Sequence, residues 1–448
     1  MRWKLPKTRR SRMLIALALV VLSGALWWWL SQPPDFRLAK ISPFLSPNDL
    51  RYLQIVPCPQ GFLCREGEQL FSLRDTDGNV CWQITTEAPD FTGWPKDHDS
   101  RLGVRYAISP NGQYLALAIV RGSGRIFQLW RNGRRITTAN LTLPDPRRFS
   151  MLVCDDGKIY CWNQSQDTKR KIRPTAYCVF PNGHVVAGII PLRPASPNPL
   201  ATCSGNRISP DGQMLCNDYN HTFDLYNIAV KDHGIQFTFG CAGTGEVGTI
   251  LPNGMLYTRE GALYNPKGKV CGDTGWRSIS HSSNYRHQFQ YVDAEPDIAK
   301  AEAYCIRGRI YTIKNGTAWN VPVRGELYGG FVSSDGTSTL VTYKPLQTTL
   351  YYAKIPLRVI PAMSDWLDHI TYASQTCRPF FLDLYTRPGH LRFRKKMHIN
   401  QEEYAVWWNE HGKRITPNRM ALSDDGHTLL MVTRTENSPH LDLRIYRW

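Results

Sequence analysis

The stretch RISPDGQML, residues 207–215, decides the fold because close copies of it return along the chain. The copies are AISPNGQYL at 107–115, FVSSDGTSTL at 331–340 and ALSDDGHTLL at 421–430, with shorter relatives FPNG at 180–183 and LPNG at 251–254. Asp-Gly and Asn-Gly suit tight turns, since Gly adopts positive φ without steric cost. The phrase is therefore interpreted as a turn between two strands of a repeating unit, not as a catalytic motif. The predicted turn glycines are Gly112, Gly183, Gly212, Gly254, Gly336 and Gly426.

The residues around each turn predict strands. After Gly112, the segment QYLALAIV is apolar on both faces, which is typical of a strand in a sheet that is packed between two other sheets. Two more strands follow in RIFQLWRNGRRITTAN, joined at Asn132-Gly133. A four-stranded antiparallel unit repeated every 41 to 50 residues predicts an all-β fold, a single β-propeller. We expect about eight blades, with seven as the alternative, and a last blade completed by the N-terminal segment DFRLAKIS.

This order of a short strand, S-P-D-G, an apolar strand and an aromatic strand resembles the TolB-type, WD40-like propeller repeat. The residues that carry the resemblance are Ile208 to Leu215 with Leu225-Tyr226, Ile108 to Leu115 with Ile126-Phe127, and Leu422 to Leu430 with Ile445-Tyr446. The resemblance implies architecture only, because such propellers serve as scaffolds, as binding modules and as accessory domains of hydrolases.

The N-terminus predicts a membrane anchor. Residues 1–12 hold six Lys and Arg and no acid, and residues 13–30 carry no charge. Eighteen helical residues span about 27 Å, close to the thickness of the hydrocarbon core. Because Lys and Arg stay on the cytoplasmic side, we expect residues 31–448 to form an extracytoplasmic propeller domain on the cell membrane. A cleaved signal peptide, with small residues at Ser23-Gly24-Ala25, is the alternative.

Charge and cysteine content suggest partners and redox state. The formal net charge is +17, and +11 remains without the six positive charges of residues 1–12. This positive charge favours anionic partners such as lipid headgroups or acidic envelope polymers, and export argues against nucleic acid. All twelve cysteines follow the anchor, and two to four disulfides are expected among them. No cofactor is expected, and zinc is disfavoured because the chain has no C-x2-C pair.

Motifs for catalysis are missing from the sequence. No G-x-S-x-G is present, GTGEVG at 243–248 runs into a strand instead of a helix, and DTDGN at 75–79 lacks the second half of a calcium loop. Basic runs are the candidates for an anion site, against the plainer interpretation of a solvated surface. They are Lys169, Arg170 and Lys171, and Arg392, Arg394, Lys395 and Lys396.

Two functions remain open from the sequence. The first is a non-enzymatic binding or scaffold module that grips a protein or an anionic envelope polymer. Its site is expected at the central mouth, on the face where the loops between blades converge. The second is an envelope lyase or hydrolase that acts on acidic sugars in the central channel, with catalytic groups gathered from different blades.

Overall fold

A computed structural model describes sixteen stretches of the chain. They are residues 37–45, 52–92, 103–143, 149–163, 174–191, 205–219, 222–258, 261–273, 277–281, 287–293, 305–312, 318–324, 326–344, 380–397, 420–434 and 441–448. The predicted cytoplasmic segment 1–12 and the predicted anchor 13–30 lie outside these stretches. Within them, no helix is long and apolar enough to cross a membrane.

The described strands form eight four-stranded antiparallel sheets, numbered I to VIII. Sheet I consists of β2 (Gln54–Cys58), β3 (Gly61–Arg65), β4 (Leu70–Arg74) and β5 (Val80–Thr85). Sheet II consists of β6 (Val104–Ile108), β7 (Tyr114–Arg121), β8 (Gly124–Arg131) and β9 (Arg134–Leu141). Sheet III consists of β10 (Phe149–Val153), β11 (Ile159–Asn163), β12 (Thr175–Val179) and β13 (Val185–Ile189). Sheet IV consists of β14 (Gly205–Ile208), β15 (Met214–Asp218), β16 (Thr222–Lys231) and β17 (Gly234–Thr244).

The second half of the chain repeats this arrangement. Sheet V consists of β18 (Val247–Ile250), β19 (Leu256–Thr258), β20 (Ala262–Tyr264) and β21 (Val270–Asp273). Sheet VI consists of β22 (Arg277–His281), β23 (His287–Asp293), β24 (Cys305–Thr312) and β25 (Ala318–Arg324). Sheet VII consists of β26 (Glu326–Val332), β27 (Ser338–Lys344), β28 (Phe380–Thr386) and β29 (His390–Met397). Sheet VIII consists of β30 (Met420–Leu422), β31 (Thr428–Arg434), β32 (Leu441–Arg447) and β1 (Arg37–Leu45).

Sheet VIII joins the two ends of the described chain. β1 pairs antiparallel with β32, from Arg37 opposite Arg447 to Leu45 opposite Leu441. The prediction that the last unit takes a strand from the N-terminal segment is therefore confirmed. Because an unpaired edge is prone to non-native pairing, β1 protects the edge of β32 and closes the propeller.

Apolar cores lie between neighbouring sheets. Leu115 and Leu117 of β7 pack with Leu63 and Phe71 of sheet I, whereas Ala116 and Ala118 face a core shared with sheet III. Similar cores join sheet III to IV, IV to V, and VII and I to VIII. The central strands are thus buried on both faces, as the apolar segment after Gly112 predicts. The prediction of an all-β propeller of four-stranded antiparallel blades is confirmed.

Candidate functional site

The turn after the first strand has the same hydrogen bonds in four sheets. In sheet IV the Ser209 hydroxyl donates to Asp211 Oδ1 at 2.6 Å and accepts from the backbone N–H of Met214 at 2.9 Å. The N–H of Gly212 donates to the carbonyl of Ser209 at 2.8 Å. The equivalent serines are Ser109, Ser333 and Ser423, whose hydroxyls donate to Asn111, Asp335 and Asp425. These bonds hold the end of each first strand in one conformation.

Five of the six predicted turn glycines also lie close to the preceding sheet: Gly112, Gly183, Gly212, Gly254 and Gly426. Gly183, contrary to the prediction, lies in the turn between the third and fourth strands of sheet III. A Cβ on Gly212 would lie 2.6 Å from the Tyr160 ring and 2.9 Å from Cys154 Sγ, both in sheet III. On Gly426 it would lie 2.6 Å from Cβ of Ser338 in sheet VII. The six predicted turn glycines have φ between 70° and 86°, in the left-handed region that favours Gly. The turn therefore requires Gly for its own conformation and for its packing against the neighbouring sheet.

A cavity of about 210 Å³ lies where the first strands of sheets II, III, IV and V end. Four of its lining residues are the last residues of these strands: Ile108, Val153, Ile208 and Ile250. Pro110 and Pro210 of the repeated turn also line it. Because four consecutive first strands contribute, the cavity lies on the side of these sheets that faces the propeller axis. It is at the opposite end of the first strands from the loops that join consecutive sheets.

Among the described residues that line this cavity, Arg207 is the one that carries a charge. It is half-buried, and its Nη1 donates to the carbonyl of Gly248, on the first strand of the next sheet. No carboxylate among the described residues forms an ion pair with it. Since a guanidinium carries five N–H donors, most of its hydrogen-bonding capacity remains after this contact.

The other walls offer few polar groups. Trp162 Nε1 donates to the carbonyl of Asn206 at 2.7 Å, so its indole presents apolar ring surface to the cavity. Leu152 adds a further apolar side chain, and Thr249 contributes the second polar side chain of the lining. Its described side chains are therefore mostly apolar, polar atoms also contribute to its surface, and Arg207 is the cationic group in its wall.

Arg207 does not belong to a run of basic residues, but its place in the repeated phrase distinguishes it from the other copies. Two residues before the turn serine, the four copies of the phrase carry Ala107, Arg207, Phe331 and Ala421. Arg207 is thus the charged exception in a position that is otherwise apolar. The sequence could identify this residue, but it could not show that four strand ends enclose a cavity around it.

A second arginine on a first strand has a different environment. The Nη1 of Arg105 in sheet II donates to the carbonyl of Phe149 in sheet III, and its guanidinium lies 4.7 Å from the Phe149 ring centroid. Arg125 lies 4.6 Å from the same ring centroid. Burial lowers the pKa of both arginines, with a smaller effect of Arg105 on Arg125. These two side chains join sheets and do not line the cavity.

The basic residues that the sequence proposes for an anion site are not brought together around this cavity. Lys169, Arg170 and Lys171 lie outside the described residues, as do the side chains of Lys395 and Lys396. Arg392 and Arg394 are exposed on β29, the outer strand of sheet VII. The Nη2 of Arg394 lies 2.7 Å from Oδ2 of the buried Asp383, which also accepts a hydrogen bond from the Tyr385 hydroxyl. An external anion at Arg394 would therefore compete with this ion pair.

The expected disulfides are not found among the nine cysteines that the structure describes, all of which are free thiols. For Cys58 and Cys64 the strand register gives the reason. Cys64 lies opposite Ile55, and Cys58 lies opposite Gly61, so the two thiols project from opposite faces of sheet I. Burial raises the pKa of Cys58 to about 12. The buried thiols therefore behave as small apolar core residues.

No protein-family model matches the chain, and no curated protein matches it. Among solved structures, the WD40 domain of SCAP from fission yeast is similar, with 9% identity over 91% of this chain and 98% of that chain and a TM-score of 0.45. TolB from Acinetobacter baumannii has 12% identity over 79% of this chain and 65% of that chain, with a TM-score of 0.29. An oligogalacturonate lyase in complex with manganese has 11% identity over 91% and 97% of the two chains, with a TM-score of 0.40.

These likenesses concern the fold alone. The β-propeller fold rests on the four-stranded antiparallel sheets of this chain itself. At these identities and TM-scores none of these likenesses carries an argument about substrate, partner or activity.

Proposed function

We propose that the chain is a membrane-anchored, extracytoplasmic β-propeller that acts as a non-enzymatic binding or scaffold module for a protein or an anionic envelope polymer. The observation that carries the proposal is the cavity at the ends of β6, β10, β14 and β18, with Arg207 in its wall. A rigid ring that fixes one cationic side chain in a recess lined by aliphatic side chains is suited to recognition. In this proposal the binding site lies at the turn end of the first strands.

The proposal includes eight blades in one ring. Shared cores or strand contacts join seven of the eight neighbouring pairs of sheets: I–II, II–III, III–IV, IV–V, VI–VII, VII–VIII and VIII–I. Sheets V and VI are consecutive in the chain, so the remaining pair completes the ring. The β1–β32 pairing then closes the ring at its termini.

The anchor follows from residues 1–30, which lie outside the described structure. Six residues separate Leu30 from Arg37, the first residue of β1. At about 3.5 Å per extended residue they reach about 20 Å. Because β1 is the outer strand of sheet VIII, this sheet is proposed to lie next to the membrane. The net charge of +11 on residues 31–448, which is +17 less the six positive charges of residues 1–12, supports association with anionic surface components by attraction that salt weakens.

The free thiols are compatible with an oxidising compartment. Cys64, Cys161, Cys178 and Cys216 are fully buried, and burial raises the pKa of Cys178 to about 12. A thiol reacts as the thiolate and needs access to the oxidant, so such cysteines stay reduced after export. The proposed location therefore does not require disulfides.

The enzyme alternative gains no specific support from the described residues. Acid–base catalysis on acidic sugars needs a proton donor and a proton acceptor within reach of the substrate. Arg207 is the one titratable residue of the described cavity lining, and an arginine stays protonated. The binding module is therefore the better supported function.

Site-specific photo-cross-linking in the native host tests the proposal. A photoreactive amino acid at Leu152, in the cavity wall, is expected to give an adduct with a partner. The matched control carries the same amino acid at Ile189, which is 58% exposed on the outer strand of sheet III. Equal adducts at both positions, or none at either, would reject the cavity as the binding site.

Membrane topology is tested separately. A reporter that is active only outside the cytoplasm is fused after Trp448, and the cells are fractionated. The full chain should stay in the membrane fraction with an active reporter, and a chain that lacks residues 1–30 should lose both properties. An active reporter released into the soluble fraction from the full chain would instead support a cleaved signal peptide.

A further inference from the structure

We infer that the cavity around Arg207 binds a carboxylate that is attached to an apolar group of side-chain size. This inference rests on the proposed function, because it names the ligand chemistry of the same site. A peptide C-terminus with an apolar last residue and a free short-chain carboxylic acid share this chemistry. Titration with a peptide acid and with a free acid distinguishes these two sources.

The size of the cavity limits the ligand. Its volume of about 210 Å³ is below the roughly 300–1,000 Å³ of pockets that enclose drug-sized ligands. A liquid water molecule occupies about 30 Å³, so the space corresponds to about seven waters. The recess itself therefore holds one side-chain-sized group of a ligand.

The side chains of the walls favour an apolar group on the ligand. Ile108, Leu152, Ile208 and Ile250 come from four different sheets and surround one space. The indole nitrogen of Trp162 already donates to the carbonyl of Asn206, so it is not available to a ligand. An apolar ligand group that packs against these aliphatic side chains removes apolar surface from water.

Arg207 specifies a carboxylate rather than a phosphate. A phosphate monoester carries about two charges and three acceptor oxygens, but the lining offers one cation and the hydroxyl of Thr249. Burying a second negative charge against these apolar walls would be costly. A carboxylate carries one charge, and its two oxygens match the parallel N–H groups of a guanidinium. The charge on Arg207 is thus balanced by a single carboxylate.

Calorimetric titration of the full chain in detergent tests the inference with two acids and their amides. N-acetylglycyl-leucine represents a peptide C-terminus, and 4-methylpentanoate represents a free acid. Each amide keeps the apolar group and removes the charge. At least one acid should bind at least about tenfold more tightly than its amide, because charged hydrogen bonds are the stronger ones. Binding by the peptide acid alone assigns the site to a chain end, and binding by 4-methylpentanoate alone assigns it to a small acid.

Two variants probe the wall and the charge. Arg207→Gln should weaken acid binding at least about tenfold and leave amide binding unchanged. Leu152→Phe, which places a larger side chain in the cavity, should weaken both. Arg105→Gln is the matched control, because it removes the same kind of arginine–carbonyl contact between sheets without touching the lining. It should bind the acid as the wild type does, and thermal unfolding of each variant reports folding.

The inference is overturned if acid and amide bind equally to the wild type, if neither acid binds, or if folded Arg207→Gln retains the wild-type affinity. Its failure is distinguishable from failure of the proposed function. A cross-link from position 152 without carboxylate binding would leave the binding module in place and reject the ligand class alone.

Discussion

Replacing Gly212 by Ala tests whether the repeated turn packs against the preceding sheet. Gly212 has φ of 70°, and a new Cβ would lie 2.6 Å from the ring of Tyr160 and 2.9 Å from Cys154 Sγ. The left-handed conformation costs an L-residue about 1–2 kcal/mol, and Ala recovers about 0.4–1 kcal/mol because the unfolded chain becomes less flexible. Tyr160 and Cys154 are each 4% exposed, so they have little room to move. Overpacking of this kind costs about 1–3 kcal/mol, and we expect a total loss of about 2–4 kcal/mol in the free energy of unfolding.

Gly122→Ala is the matched control for backbone strain. Gly122 has φ of 53°, and a Cβ there would meet no atom within 4 Å. The same terms without overpacking predict a loss of about 0–1.6 kcal/mol. Urea unfolding followed by tryptophan fluorescence gives both values, provided that the unfolding free energy falls with urea concentration at the same slope in both variants and in the wild type. If the two variants lose the same stability within about 0.5 kcal/mol, the turn is not packed as described and the reasoning fails.

Four further predictions concern the turn, the thiols and the ring closure. Ser423→Ala leaves the N–H of the buried Thr428 without its side-chain acceptor and should lower the unfolding free energy by about 1–2 kcal/mol in the same assay. Burial acts to raise the pKa of Asp335, but hydrogen bonds from Ser333 and Thr337 outweigh it and hold the pKa below its usual value. The stability advantage of the wild type over Asp335→Asn should therefore be full above about pH 4 and disappear as the pH falls through the folded-state pKa. In a chain with Cys203, Cys305 and Cys377 replaced by Ser, maleimide should label the exposed Cys81 and Cys271 first. Mass spectrometry locates the label, and rapid modification of Cys64 would contradict its burial. Deleting residues 1–45 removes β1 and should lower the midpoint of thermal unfolding, whereas deleting residues 1–30 should leave it unchanged.

The repeated turn predicts most of the fold because its information is local. Gly212 and its equivalents adopt the expected φ, and the apolar segment after Gly112 is buried on both faces. The β1–β32 pairing was also predictable, since the last unit has three strands and the N-terminal segment has a strand pattern. These features depend on neighbouring residues in the chain and on the need to protect an edge.

The disulfides and the site could not be predicted in the same way. Five residues separate Cys58 from Cys64, but strand register and the intervening turn place them on opposite faces of sheet I. Similarly, the charge runs drew attention to β29, where Arg394 already pairs with Asp383. The lining of the cavity comes from four sheets, and no local pattern states which strand ends meet.

The turn explains how one position can carry binding chemistry without affecting the fold. Its hydrogen bonds join Ser209, Asp211, Gly212 and Met214, and none of them uses the side chain two residues before the serine. That position holds Ala107 and Ala421 in two other copies, so the fold does not need a charge there. A guanidinium placed among apolar residues costs free energy unless an acceptor balances it. Since Arg207 contacts one carbonyl and no described carboxylate, its charge is better explained by an external anion than by the stability of the ring.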